Sequence, residues 1–549
     1  MPTDYYDLGR HSYPISTSSP AAQLWFDRGL AWTYGFNHEE AIRCFEQALE
    51  LDPHCAMAYW GIAYAIGPNY NKAWDQFDPV ELAETLPKAY AGARKAVETS
   101  GMATPIERAL IAALKSRYPA PDPPTDFAAW NVGFADSMRE VYRRHPDDLD
   151  VTALFADALM NITPWRLWDQ ATGQPAPGAA TEEAREALER ALGAPAAAEH
   201  PGVLHVYVHL MEMSPFPERA LPAADRLRGL VPDAGHLEHM PTHIDVLCGD
   251  YRRVVTSNAA AIAADRKYLD NAGAMNFYTL YRAHNYHFKI YGAMFLGNAT
   301  AALSAADELA ASLPADLLRV EVPPMADWAE GFVPMKMHAL IRFGRWQEII
   351  DTPLPADSKL FCVTTAMTHY AKGVALAATG RVTEAEEERR RFEDAVASVP
   401  ETRYLFNNTC LDILAVATAM LDGEIEYRKG NVDEAFARLR DAIELDDHLP
   451  YDEPWGWMQP TRHAYGALLL EQGRVEDAEA VYRADLGLDA TLPRANQHPN
   501  NIWSLHGYHE CLTRLGKSEQ APLVKQLLDL ASVHADVPVT ASCACRMSA

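Results

Sequence analysis

GLAWTYGFNHEEAIRCFEQALELDP, Gly29 to Pro53, has the residue offsets of a helix-pair unit that repeats roughly every 34 residues. Small Gly29 and Ala41 let two antiparallel helices approach closely, Trp32 and Phe45 fill the space between units with Ala48 beside them, and Pro53 stops the second helix. Similar spacing returns at Val208, Met211, Ala220, Ala224, Leu227 and Pro232. It returns again at Gly373, Leu376 and Ala385, around Gly423, Ala435 and Ala442, then at Gly466, Leu469, Ala478 and Tyr482, and last at Trp503 and Gly507. The expected fold class is therefore all-α, an α-solenoid of antiparallel helix pairs with irregular spacing.

That unit is the tetratricopeptide type. At 549 residues the chain exceeds one ordinary hydrophobic core and suits an array that grows by stacking. Its 48% hydrophobic and 22% charged residues are globular proportions. The segments expected are an N-terminal arm (1–20), helix pairs (21–160), central repeats with a histidine cluster (161–310), further helix pairs (311–530) and a flexible tail (531–549). Pro-rich stretches from Tyr118 to Pro124 and from Gln174 to Ala180 read as inter-helix loops.

A net charge of -27, from 48 basic and 75 acidic residues, repels phosphate backbones and argues against nucleic acid as a partner. Polar residues interrupt every apolar stretch, so no membrane span is expected. The N-terminus lacks the pattern of a secretion signal. Eight cysteines, scattered except for Cys543 and Cys545, form no disulfide framework, and a cytoplasmic location is the expectation. The Cys543-Ala-Cys545 tail is read as unstructured, with a soft metal ion as its alternative role.

The chemistry points to residues 200–287. His205 and His209 stand four apart on one helical face, continued by Glu212. His239 and His243 follow one repeat later, and His284 and His287 fall on a third unit after an insertion of about 14 residues relative to the repeat length. His236 precedes the second pair. Because Pro241 cannot sit in a helix interior, a helix start near Glu238 or His239 is expected, with His236 on the loop before it. By repeat phase the row lines the concave groove and is accessible.

One histidine on a helix face is ordinarily a hydrogen-bonding residue. Several in register, close enough to repel one another if protonated, make sense as neutral ligands of a transition metal. Copper or iron is the leading choice, with zinc or manganese as alternatives. Glu212 and Glu238 are candidate bases, and Asp245 is a further nearby carboxylate. Trp165 and Trp168, with Arg166 and Asp169, are candidate walls of a substrate pocket, as are Tyr286 and Tyr291 among the tyrosines that include Tyr278 and Tyr281. Inter-repeat packing is the competing role for these aromatics. A second cluster, Trp455, Trp457, Arg462 and His463, lies where the row would continue by repeat phase.

His200-Pro201-Gly202, the runs His205 to Ser214, Glu218 to Asp225 and Asn258 to Asp265, and His239-Met-Pro-Thr-His-Ile244 resemble a bacterial tetratricopeptide repeat family of about this length. The segments around Trp165, Trp455 to Arg462 and Gly466 to Tyr482 look like the same family, and His284-Asn-Tyr-His287 is similar to the eukaryotic tetratricopeptide repeat protein thirty-eight. The resemblance implies the fold and one shared site for the paired histidines; it supplies no reaction. Thr242, Asp245 and Cys248 depart from the family's usual residues.

The leading functional reading is a copper or iron oxidoreductase acting on a small molecule at the multi-histidine site. The alternative is a non-catalytic scaffold that binds a peptide or protein in its groove. A third reading is a zinc hydrolase at the same site.

Overall fold

The structure is a computed structural model and describes residues 5–546. It is all-α. Its strands are two-residue pairs, Trp168–Asp169 with Gln174–Pro175 and Tyr404–Leu405 with Asn408–Thr409. The chain divides into two compact units: residues up to Ile244 with Ala260–Gly273, and Asp245–Ala259 with Ala274 onward. The division passes through the helices Pro241–Leu247 and Tyr251–Ala272. The latter, 22 residues long, takes up part of the expected insertion as added helix.

In the first unit the helix Pro20–Tyr34 packs on His38–Leu51, that on Ala56–Ile66, and that on Pro79–Thr99, the neighbour-on-neighbour pattern of a repeat array. The repeat signature has a steric cause here. A Cβ at Gly29 would lie 2.6 Å from the Phe45 ring, and one at Gly61 would lie 2.7 Å from the same ring. Two glycines on flanking helices therefore clamp the fully buried phenyl of the helix between them. Helix starts are set by ordinary caps: Ser19 accepts from Ala22 N, Asn37 from Glu40 N and Asp148 from Val151 N, and Thr104 with Glu107 forms a capping box. The Pro-rich stretch after Tyr118 is a loop between Pro105–Arg117 and Ala128–Arg144, and the one after Gln174 leads to Thr181–Leu192.

The second unit repeats the device with a different ring. Gly466 and Gly507 clamp Tyr482, whose ring carbons would lie 2.6 and 2.2 Å from the added Cβ atoms. Gly373 meets Leu421 and Gly423 meets Leu439 in the same way. The helix pairs Cys362–Ala378 with Val382–Val396, Cys410–Lys429 with Val432–Asp447, and Thr461–Glu471 with Val475–Asp485 stack in sequence.

The expectation of a flexible tail is corrected. Residues 547–549 of it, and 1–4 of the N-terminal arm, lie outside the described residues. From Ala535 to Arg546 the chain is seated on the second unit. Asp536 accepts from Ala299 N (2.7 Å) and Thr300 N (2.9 Å), capping the helix Ala299–Ser312. Ser542 bonds Tyr482 Oη (2.6 Å) and His463 O (2.8 Å), and its carbonyl accepts from Arg342 Nη1 (3.0 Å). Arg546 forms two bonds to Glu510 (2.6 and 2.9 Å). Cys543 and Cys545 are joined as a disulfide. Lost repeat periodicity signalled the end of the helix pairs, whereas these polar anchors carry no period. Among the described residues no helix is long and apolar enough to cross a membrane.

Candidate metal centre

Two short stretches of the first unit supply the site. The helix Pro201–Glu212 begins at His200, whose Nδ1 accepts from Val203 N, and turns His205, His209 and Glu212 to one side. The second stretch is the helix Gly235–His239 followed by Pro241–Leu247. His236 lies inside the first of these helices, not on a preceding loop. Pro241 opens the next helix, a position where its missing N–H costs little, and Met240 N still reaches His236 O at 3.0 Å. His236, His239 and His243 thus keep a common face across the break.

The rings converge. Centroids are 4.8 Å apart for His205 and His209, 4.9 Å for His205 and His236, 5.7 Å for His209 and His243, and 4.7 Å for His239 and His243. One ligand nitrogen from each of His205, His209 and His236 lies within 4.8 Å of the others.

Hydrogen bonds fix which nitrogen each ring presents. His205 Nδ1 lies 2.6 Å from Tyr34 O, a pure acceptor, so Nδ1 carries the proton and Nε2 a lone pair. Glu212 does the same for two rings at once: its Oε1 accepts from His209 Nδ1 (3.0 Å) and its Oε2 from His243 Nδ1 (2.7 Å). The Nε2 atoms of His205 and His209 are buried and have no hydrogen-bond partner. His239 Nε2 and His243 Nε2 stand 2.7 Å apart. Thr242 Oγ1 holds the turn by donating to His239 O (2.7 Å).

Burial, aided by the neighbouring His239, brings the His205 pKa down to about 3; the backbone bond to Tyr34 opposes it. Burial and the His205 and His239 rings hold His209 well below its ordinary value. These imidazoles are neutral at pH 7, the state that binds metal. The donor set fits a transition metal: neutral imidazole lone pairs aimed inward, with their outer N–H groups engaged by a carbonyl and a carboxylate.

The expected accessible row is corrected. None of His205, His209, His236, His239, His243 and Glu212 is more than 1% exposed. Repeat phase gave the correct helix face but not what covers it. Phe36 lies with its ring stacked on His209 and His236 and 4.6 Å from that of His205. Trp165 stacks on Tyr70, which packs 4.9 Å from His209. Phe36 (φ 55°) and Trp165 (φ 58°) both hold left-handed backbone, a conformation that costs a bulky residue energy and that marks over-determined sites. Sequence reasoning missed Phe36, Tyr70 and the Tyr34 carbonyl; the Gly35-Phe36-Asn37 turn was the one visible hint.

The other expected site residues fall as follows. Glu212 has both oxygens committed to histidines, so it positions rings and is not a free base. Glu238 is 5% exposed, takes a backbone hydrogen bond from Gly229, and is pushed up to about 7 by burial. Trp168 is packing: its Nε1 donates to Leu210 O at 2.7 Å. Trp165 walls the His209 side. The cavity beside His205, lined by His38, Tyr64, Asn69 and Asp157 among others, has room for about one water molecule.

His284 and His287 belong to the second unit, on the helix Thr279–Phe295 with Tyr286 and Tyr291. Tyr291 is buried and stacks on Phe295 at 4.3 Å. His463 is a structural residue there: its Nε2 donates to Asp485 Oδ2 (3.0 Å), and Arg342 Nη2 lies 3.0 Å from its Nδ1.

Beside the histidines of the first unit, His11, Asp150 and His200 form a second group. His200 Nδ1 already accepts from Val203 N, so in the neutral ring Nε2 carries the proton, 3.3 Å from Asp150 Oδ2. Tyr34 Oη donates to the other oxygen at 2.7 Å, and His11 Nε2 lies 2.9 Å from it. Through the His11 contact with Asp150 this group anchors the N-terminal arm.

Residues 22–55 match the tetratricopeptide repeat model. No curated protein matches the chain. Among solved structures it is similar to Naa15/Naa10 bound to HypK-THB, with 15% identity, 93% of this chain and 70% of that chain covered, and a TM-score of 0.22. The APC/C hetero-tetramer Cut9-Hcn1 gives 12% identity, coverages of 93% and 76%, and a TM-score of 0.31. Yeast Tom70 gives 11%, 92% and 99%, and 0.28. At these scores the likeness carries no argument, and the helical-repeat fold rests on the stacked helix pairs themselves.

Proposed function

We propose that this chain is a tetratricopeptide-type scaffold that holds a transition metal in the core of its first unit, with His205, His209 and His236 as ligands and His239 and His243 beside them. The observation that carries this reading is the pair of buried, partnerless Nε2 atoms whose opposite ring nitrogens are locked by Tyr34 O and Glu212. A lone pair buried without a donor is destabilising, by about 1–3 kcal/mol each, and a metal ion removes that cost. Imidazole donors suit copper, iron and zinc better than manganese, which prefers oxygen. The Glu212 carboxylate behind the rings offsets part of the ion's charge.

Full burial and a neighbouring cavity that fits a water favour a scaffold with a bound metal over an oxidoreductase working on a small molecule. Repeat arrays of this type present extended surfaces, and a peptide or protein is the partner class that suits them. In protein purified without a histidine tag, elemental analysis is expected to find metal near stoichiometric amounts. The double substitution His205→Ala with His209→Ala should remove it while the helical circular dichroism persists. Untagged protein that retains no metal after dialysis would end this reading and leave an interaction scaffold alone. Oxygen uptake with reduced metal and added reductants, if it exceeds that of the double variant, would restore the oxidoreductase.

A further inference from the structure

The tail seated on the second unit takes the course of a bound peptide. From Ala535 to Ala541 it forms no helix or strand, and its side chains alternate: Ala535, Val537, Val539 and Ala541 are half-buried, whereas Asp536, Pro538 and Thr540 are exposed. A period of two is the pattern of an extended chain laid against a surface, with every second side chain inward. The inward residues are small. Ala535 and Val539 pack beside Gly297, where an added Cβ would lie 3.2 Å from one and 3.5 Å from the other.

The surface it crosses belongs to the first helices of successive pairs. A cavity beside Cys543 and Cys545 is lined by Arg342, Tyr370, Glu424 and His463, one from each of the helices Met335–Arg342, Cys362–Ala378, Cys410–Lys429 and Thr461–Glu471. Glu510, which holds Arg546, comes from the next first helix, Ile502–Arg514. In a helix-pair array this is the concave side, where extended binding surfaces form. Because the cavity remains beside the tail, the tail lies in the groove without filling it.

Most of the groove's hydrogen bonds go to the tail's main chain. Asn298 Nδ2 donates to His534 O (3.2 Å), Asp536 N to Gly297 O (3.2 Å), Arg342 Nη1 to Ser542 O (3.0 Å) and Arg428 Nη2 to Cys545 O. Backbone recognition of this kind gives affinity with wide tolerance of sequence. Three side chains add selectivity: the Asp536 carboxylate on Ala299 N and Thr300 N, the Ser542 hydroxyl between Tyr482 Oη and His463 O, and Arg546 on Glu510. A basic residue at that end also suits a chain of net charge -27.

We propose that the concave groove of the second unit is a docking site for an extended peptide, and that Ala535–Arg546 is its built-in occupant. The partner segment that displaces it has the same chemistry: small apolar residues at alternate positions, then a hydroxyl, then a basic residue four places after it. This rests on the peptide-scaffold half of the reading above and not on the metal centre, which elemental analysis tests separately.

The test uses the full chain, and the probe is a fluorescent synthetic peptide of residues 533–546 with its disulfide closed. In wild-type protein the tethered tail competes at an effective concentration of about 1 mM. The tail double variant Asp536→Ala/Arg546→Ala should therefore bind the probe at least tenfold more tightly than wild type, with one probe per chain. A probe carrying Arg546→Glu should bind that variant at least tenfold more weakly than the unaltered probe. A double variant that binds neither probe, or both equally, overturns the proposal. Hydrogen exchange in unmutated protein gives a second reading that needs no variant to fold. The Asp536 amide should exchange at least a hundredfold faster than the core amides of the helix Val475–Asp485, because a displaceable tail opens by itself. Exchange in step with that helix would make the tail a fixed part of the fold and overturn the proposal as well.

Discussion

Single side chains in this protein act through what they hold. Glu212 touches two imidazoles and orients both, so Glu212→Gln should keep the volume but lose one of the two strong acceptors. Metal affinity is expected to fall about 10–100-fold with stoichiometry unchanged at saturation, measured by competition with a chelator. Asp485 plays a comparable part in the second unit. It is fully buried, and its carboxylate accepts from His463 Nε2, His498 Nδ1, Asn501 Nδ2 and Ser504 Oγ. Burial alone would raise its pKa, but the His463 and His498 rings and these donors hold it well below the ordinary carboxylate value. A depressed folded value contributes stability above the unfolded pKa of about 3.9 and loses it as pH falls through the folded value. Wild-type urea midpoints should therefore drop below about pH 4 more steeply than those of Asp485→Asn. At pH 7 that variant should be less stable by about 3 kcal/mol, because four donors then face a poorer acceptor.

At the level of helices, the glycine clamps set how closely neighbours approach. Gly61→Ala drives a methyl into the Phe45 ring, and Gly507→Ala drives one into Tyr482, whose hydroxyl is bonded to Ser542. Both rings are fully buried in packed surroundings and have little room to retreat. Each substitution is expected to cost about 1–3 kcal/mol in denaturant unfolding, more than the same change gains from helix propensity. The repeat offsets marked Phe45, Tyr482 and Gly507 but not Gly61, whose place opposite the Phe45 ring only the structure showed. They did not foretell Phe36, because a phenylalanine in left-handed backbone has no period and breaks the local preference that sequence reading relies on.

For the chain as a whole, the tail is the place where lost periodicity misled. Arg342 is buried and keeps a polar partner partly through the Ser542 carbonyl, and Arg428 donates to the carbonyl of Cys545. Ending the chain after His534 would remove these acceptors together with the Asp536 cap and the Arg546–Glu510 pair. The truncated protein should unfold with a stability lower by about 2–4 kcal/mol. Proteolysis followed over time should cut it near Tyr482 and Arg342 faster than the full chain. A tail that only frayed would give equal rates.

By itself the sequence determined the helix pairs, their close-packing glycines and the helical face that carries His205, His209, His239 and His243, because each depends on local spacing. Only the tertiary structure decided that this face is covered, that Glu212 stands behind its rings, and that Ser542 meets Tyr482. Each of those depends on which residue from a distant segment arrives opposite. The rise and turn of a helix fix where a side chain points, but what it then meets is fixed by packing between segments that spacing along the chain does not encode.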